Sequence, residues 1–214
     1  MVYTTVLFDL DGTLTDSQDG IISSYQHALA AFEIDVDQVS IKRWIGPPLR
    51  DGFTALGVPP AQVPAAIDRY RAYFAEVGIH QNRLYDSVSQ MLAELNQAGV
   101  TLGLATSKLV DFAEQIVAQF ALAEHFDVVA GAAPDGSRIT KADIVAFALE
   151  SLGWPQPESV ALVGDRGDDM RAAVQHGLLP VGVSWGYGDN EELRSSGSQM
   201  ILDHPSAVTR LLAS

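Results

Sequence analysis

The sequence predicts an α/β fold: a doubly wound, mostly parallel sheet with a helical domain inserted near its start. Three observations predict it. An apolar run, Val6-Leu7-Phe8, stops abruptly at Asp9-Leu10-Asp11-Gly12-Thr13. A second run, Val160-Ala161-Leu162-Val163, stops in the same way at Gly164-Asp165, with Asp168 and Asp169 close behind. Between them, residues 15–83 show no convincing strand and repeat their apolar residues at helical spacing.

The first run is short and wholly apolar, as a buried strand should be. Unpaired charge is not tolerated inside a sheet. Asp9 and Asp11 therefore belong where the strand leaves it, at the C-terminal edge, where open α/β sheets bind ligands. Gly12 permits a tight turn and a close approach of backbone N–H groups to a ligand.

After Leu14 the period becomes helical. Asp16 and Ser17 are candidate N-caps for a helix that aligns Ile21, Tyr25, Ala28, Leu29 and Phe32. A second helix starts near Ser40 and breaks before Pro47, because the residue before a proline disfavours helix. Gly46-Pro47-Pro48-Leu49-Arg50 is a stiff turn that can aim Arg50, which makes Arg50 a candidate substrate contact. A short helix to Leu56 follows, then a longer one carrying Val63, Ile67, Tyr70 and Phe74. Such a block is near the lower size limit for a core of its own. Inserted just after a strand-end site, it can act as a lid. The expected division is a core of residues 1–14 and 84–214 with an insert of residues 15–83.

The sheet resumes beyond it. Val88, Met91, Leu92 and Leu95 mark a helix closed by Gly99. Thr101–Ala105 is a short strand ending at Thr106-Ser107-Lys108. Ser107 reads equally as a cap for the next helix, and Lys108 as an anion guide or a solvated charge. A helix over 110–120, a strand over 126–130 and a polar loop from Gly131 to Thr140 follow. Lys141 then opens a helix carrying Ile144, Val145, Ala148 and Leu149. A lysine in a first turn opposes the helix dipole, and that mild anomaly points to a function. Arg138 is its rival in the same loop. After the second acidic strand end, Asp165 lies at the edge and Asp169 in the first turn of a helix. Asp168 reads as a structural first-turn acid. A last parallel strand (180–183), a loop at Trp185-Gly186-Tyr187-Gly188, a short helix, an edge strand (200–202) and a final helix from Pro205 complete the chain.

Composition narrows the function. Lys and Arg total 13 against 27 Asp and Glu, a formal charge of −14, which argues against a nucleic-acid partner. With no cysteine, thiolate chemistry and disulfides are excluded. No signal-like segment and no window of membrane-spanning length is present, so a soluble cytoplasmic protein, monomer or homodimer, is expected.

If the first strand is flanked by the strands of Ala105 and Val163, their three C-terminal loops meet at one crevice, as right-handed crossovers permit. Asp9, Asp11, Asp165 and Asp169 would then gather against one lysine. Clustered carboxylates demand a cation, and an all-oxygen donor set points to Mg²⁺.

Asp9-Leu10-Asp11-Gly12-Thr13 resembles motif I of the haloacid dehalogenase-like hydrolase superfamily in its phosphatase form, most like the phosphoglycolate phosphatase-like group. Thr106 matches motif II, Lys141 motif III, and Asp165 with Asp169 motif IV. The resemblance implies a Rossmann-like core with a helical cap. It also implies a phosphatase in which Asp9 is the nucleophile that forms an aspartyl-phosphate and Asp11 is the general acid and base. Thr106, Lys141 and backbone N–H groups near Leu10 and Asp11 would hold the phosphoryl oxygens, with Gly12, Ser107, Lys108 and Arg50 as further substrate contacts. Mg²⁺ would rest on Asp9, the Asp11 carbonyl and Asp165, with Asp169 at or just behind the metal.

Related chemistries fit less well. A receiver domain would lack the insert and carry its acidic pair and phospho-acceptor on different strands. A dehalogenase or phosphonatase would lack the acid at position 11, and a transport ATPase would carry Lys and Thr between acid and glycine. A phosphometabolite-binding regulator would be expected to have lost one of Asp9, Asp11, Lys141 or Asp165. A β-phosphoglucomutase-like mutase shares every core motif. Of the possible small phosphorylated metabolites, phosphoglycolate leads, with 5′-nucleotides and pyrophosphate as alternatives within the group.

Overall fold

The computed structural model describes residues 3–213. The chain divides into two compact units, one formed by residues up to Thr15 and from Leu84 onward, the other by Asp16–Arg83.

Strand β1 (Thr5–Phe8) is entirely buried, as its apolar run requires. After the turn at Asp9–Leu14 comes β2 (Thr15–Asp16), which pairs with β3 (Arg83–Leu84) in a separate two-stranded sheet. These strands carry the chain out of the core and back. They correct the expectation that 15–83 holds no strand: two residues are too few to display a period.

The helical unit contains α1 (Gln18–Ala30), α2 (Gln38–Lys42), α3 (Leu49–Ala55) and α4 (Val63–Glu76). Its interior is aromatic. Tyr25 packs on Phe53 and Tyr70 with ring centroids 4.8 and 5.1 Å apart, and Tyr70 stacks on Phe74 at 5.9 Å. Gly20 and Gly78 let α1 and the turn after α4 meet backbone to backbone, since a Cβ on Gly20 would collide with the Gly78 carbonyl. At the base of this unit Asp16 and Arg83 form an ion pair at 2.6 Å.

The larger unit continues with α5 (Val88–Gln97), β4 (Thr101–Leu109), α6 (Val110–Gln119), β5 (Val128–Ala132), α7 (Lys141–Ser151), β6 (Val160–Gly164), α8 (Gly167–Gln175), β7 (Leu179–Val183), α9 (Asn190–Ser195) and β8 (Met200–Leu202). The six-stranded sheet has the order β5-β4-β1-β6-β7-β8. Each of its five pairings is parallel, so the expected mostly parallel sheet is parallel throughout. Leu7, Leu162, Ala105 and Ala130 share a core with Ile144, Val145, Ala148 and Leu149 of α7 and Ala172 and Ala173 of α8. The alternate residues of β1, Val6 and Phe8, face the opposite side, as the two-residue period of a strand dictates. Parallel neighbours need helical crossovers, and these place β1 between β4 and β6.

Two local expectations change. Strand β4 does not stop at Ala105 but runs to Leu109, through an irregularity in its pairing with β5. Ser107 therefore lies in that strand and is not the cap of α6, whose N-cap is Leu109. The final helix expected from Pro205 is present as a 3₁₀ helix, Pro205–Ala213. No helix of the described residues is long and apolar enough to cross a membrane.

Candidate active site

The site is built where β1, β4 and β6 end side by side. Asp9 follows β1 directly, and its N–H bonds the Val163 carbonyl of β6 at 2.9 Å. The chain then turns sharply: the N–H groups of Thr13, Leu14 and Thr15 all reach the Leu10 carbonyl, at 3.2, 2.9 and 3.0 Å. Gly12 stands inside this turn at φ +83°, a left-handed conformation that favours glycine, and a Cβ there would strike the Asp165 carboxylate.

Asp165, fully buried, follows β6 directly. Its Oδ2 accepts the Tyr187 N–H at 2.8 Å and its Oδ1 accepts the Thr13 hydroxyl at 3.3 Å. Gly186 and Gly188 pack directly on Asp165, where any side chain would collide. The Trp185 indole N–H donates to the Thr13 carbonyl at 3.0 Å. The loop after β7 thus clasps both acidic turns. Asp169, also buried, sits in the first turn of α8 and accepts the Arg166 N–H at 3.0 Å.

Lys141 is the centre of the cluster. The Thr140–Asp143 capping box fixes the start of α7 and with it the lysine. Its ammonium lies 2.9 Å from Asp9 Oδ1 and 2.8 Å from Asp169 Oδ1, and donates to the Ala105 carbonyl at 3.0 Å. Arg138 is elsewhere: it stacks on Phe147 and donates to the Gly131 carbonyl at 2.7 Å. Of the two rival cations, only Lys141 joins the carboxylates.

Asp9, Asp165 and Asp169 each offer a carboxylate oxygen within 4.8 Å of the others, and all three are buried. Burial, then the charges of Asp169 and Asp9, push the Asp165 carboxyl well above the ordinary range. Burial pushes Asp169 up to about 6, with Lys141 opposing and Asp9 adding to the rise. Burial alone would lower the Lys141 pKa, but Asp169 and Asp9 outweigh it and raise it. Three carboxylates against one ammonium leave an excess of negative charge in a dry place. That is the electrostatic condition for a divalent cation.

The carboxylate of Asp11 stands apart from this triad and pairs with Lys108 at 2.9 Å. Thr106 is buried beside the cluster, and its hydroxyl accepts the Lys108 N–H at 3.3 Å. Ser107 is half-buried in the irregular end of β4. Asp168 is on the surface, paired with Arg171 at 2.6 Å. Arg50 is exposed on α3 and belongs to the helical unit. One contributor escaped the sequence reading. Glu192 of α9 accepts the Gly167 N–H at 2.7 Å and the Arg166 Nε–H at 2.9 Å, and so ties down the first turn of α8. Nothing in the local pattern distinguishes it from any other helix-surface acid.

Comparison with known proteins matches this geometry. The family model described as haloacid dehalogenase-like hydrolase matches residues 6–183. The chain is 41% identical over 207 residues to the tyrosine-protein kinase PtkA of Mycobacterium tuberculosis, covering 96% of this chain and 70% of that protein. It is 38% identical over 195 residues to a 5′-nucleotidase of Pseudomonas aeruginosa, covering 90% and 88%. The crystal structure of a predicted phosphatase from Clostridium acetobutylicum superimposes with a TM-score of 0.93 at 37% identity, over 98% of both chains. The buried aspartates and the hydrolase fold support phosphatase activity. On these grounds the chain belongs to the haloacid dehalogenase-like hydrolases.

Proposed function

We propose that the protein is a Mg²⁺-dependent phosphomonoester hydrolase that works through an aspartyl-phosphate on Asp9. One observation carries the reading: the buried ammonium of Lys141 pairs with Asp9 and Asp169, two of the three buried carboxylates clustered with Asp165 where the parallel strands end. The donor set is all oxygen, which suits Mg²⁺ and not Zn²⁺. Asp9, Asp165 and the Asp11 carbonyl would hold the metal, and Asp169 would support them. When bound, Mg²⁺ neutralises the excess carboxylate charge and polarises the phosphoryl oxygens.

The chain's own residues then divide the work. The Asp9 carboxylate forms a bond to phosphorus while the bond from phosphorus to the ester oxygen breaks. That oxygen leaves as an alcohol, taking the proton of the Asp11 carboxyl. A water molecule next gives a proton to the Asp11 carboxylate and its oxygen to phosphorus. The bond from Asp9 to phosphorus breaks, which frees phosphate and restores Asp9. Thr106 and Lys141 hold phosphoryl oxygens, and Gly12 and Ser107 border the same space. The helical unit, Asp16–Arg83, serves as a cap that selects a small leaving group and limits water.

The substrate reading is a small phosphorylated metabolite with a further acidic group, 2-phosphoglycolate being the leading instance, met by Arg50. A 5′-nucleotide is the second reading, favoured by the likeness to the Pseudomonas 5′-nucleotidase. Phosphate release measured across phosphoglycolate, nucleoside monophosphates, pyrophosphate, β-glucose 1-phosphate and phosphotyrosine, with Mg²⁺ and with EDTA, tests both. Turnover abolished by EDTA and restored by Mg²⁺ is expected, with the highest kcat/KM on phosphoglycolate. Turnover indifferent to EDTA would remove the metal from the reading. A nucleoside monophosphate as clear winner would replace the substrate and leave the chemistry.

A further inference from the structure

Lys108 has two expected fates in the sequence, guiding an anion or standing in solvent. The structure does not leave it standing in solvent. Its side chain is only 7% exposed and its ammonium lies 2.9 Å from Asp11 Oδ2. The route by which it arrives there is unusual. The pairing of β4 with β5 is regular up to Ala105 opposite Ala130 and resumes at Leu109 opposite Ala132. Four steps along β4 are thus matched by two along β5, so the end of β4 bulges. Bulges re-aim side chains next to active sites. The neighbouring strand makes room for this one: a Cβ on Gly131 would come within 2.8 Å of the Lys108 carbonyl and 2.7 Å of Val110 Cα.

We propose that Lys108 is a positioning residue for proton delivery: the bulged end of β4 presents its ammonium to Asp11 and holds that carboxyl group in the orientation that serves the leaving oxygen. The inference rests on the reading of Asp11 as general acid and base. It differs from a role in binding the substrate anion, because a binding residue would be felt in KM for every phosphate. A residue that orients the acid is felt in kcat, and only where the leaving group needs a proton. An alkoxide needs one, whereas a nitrophenolate leaves without it.

The test compares kcat and KM for an alkyl phosphate, glycerol phosphate, and for 4-nitrophenyl phosphate. The proteins are the wild type, Lys108→Met, Asp11→Asn and the double variant, all loaded with Mg²⁺. Lys108→Met is expected to lose roughly tenfold more kcat on the alkyl ester than on the aryl ester, with KM moved by less than about threefold. In the Asp11→Asn background the same substitution should change alkyl turnover by less than about twofold, since the group it positions is gone. Lys108→Arg, which keeps the charge, should return the ratio of alkyl to aryl rates toward the wild-type value. An equal loss on both esters, a change confined to KM, or an additive double variant would overturn the inference while leaving the hydrolase reading intact. A wild type that turns over neither ester would overturn both. Should Lys108→Met not fold, Lys108→Gln carries the same comparison against Lys108→Arg.

Discussion

Replacing Lys141 with methionine removes an ammonium while keeping most of the side chain's length and apolar stem. That ammonium touches Asp9 at 2.9 Å, Asp169 at 2.8 Å and the Ala105 carbonyl at 3.0 Å, and its side chain is 6% exposed. Breaking a buried ion pair by deleting one partner costs about 3–5 kcal/mol, because the remaining charge is stranded. Here two carboxylates are stranded at once, so the upper end of that range applies. At about 2–4 °C per kcal/mol for a chain of this size, the metal-free Tm should fall by about 10–20 °C. The loss should depend on pH. Asp169 is raised from 3.8 to about 6 in the folded protein, chiefly by burial, and Lys141 opposes that rise. A carboxyl raised on folding binds more protons folded than unfolded between its two pKa values, so stability declines as pH climbs through that window. Without Lys141 the folded value rises further and the window widens upward. The deficit of Lys141→Met should therefore be small near pH 4 and complete above neutrality. Thermal melts in EDTA across that range read it directly, alongside a fall in turnover of about a hundredfold or more. A Tm unchanged at neutral pH, or a deficit that grows on acidification, would refute the electrostatic reasoning.

Mg²⁺ should raise the wild-type Tm, and more at pH 7 than at pH 5, because protons held by Asp165 and Asp169 compete with the metal; calorimetric titration with Mg²⁺ at the two pH values checks this. Arg138→Ala should cost about 1 kcal/mol through its lost stacking on Phe147, with kcat within about threefold of wild type, read by melting and steady-state kinetics. Tyr25→Phe should be neutral or stabilising by about 1 kcal/mol, since the Tyr25 hydroxyl is buried without a hydrogen-bond partner; denaturant unfolding measures it.

The acids could be placed from the sequence because burial forces the issue. An apolar run such as Val6–Phe8 can lie inside a sheet only if the charge after it lies outside, so Asp9 and Asp165 had to mark strand ends. Lys141 was visible for a similar reason, as a cation at the helix end that does not favour one. What stayed hidden depends on register between strands distant in the chain. Thr106-Ser107-Lys108 is polar, and polarity reads as the end of a strand. Its continuation to Leu109 needs Ala132 as a pairing partner and Gly131 as a gap, neither of which any local period reports. Glu192 was hidden likewise, since its value lies in the Gly167 N–H across the fold. The division follows from the physics. The composition of one segment reports what that segment must avoid, which is unpaired charge in a dry place. It does not report what another segment will supply, and the pairing of Lys108 with Asp11 is supplied by a bulge. Asp11 is therefore the acid whose surroundings the sequence described least, although its position beside Asp9 was plain from the Asp9-Leu10-Asp11-Gly12-Thr13 run.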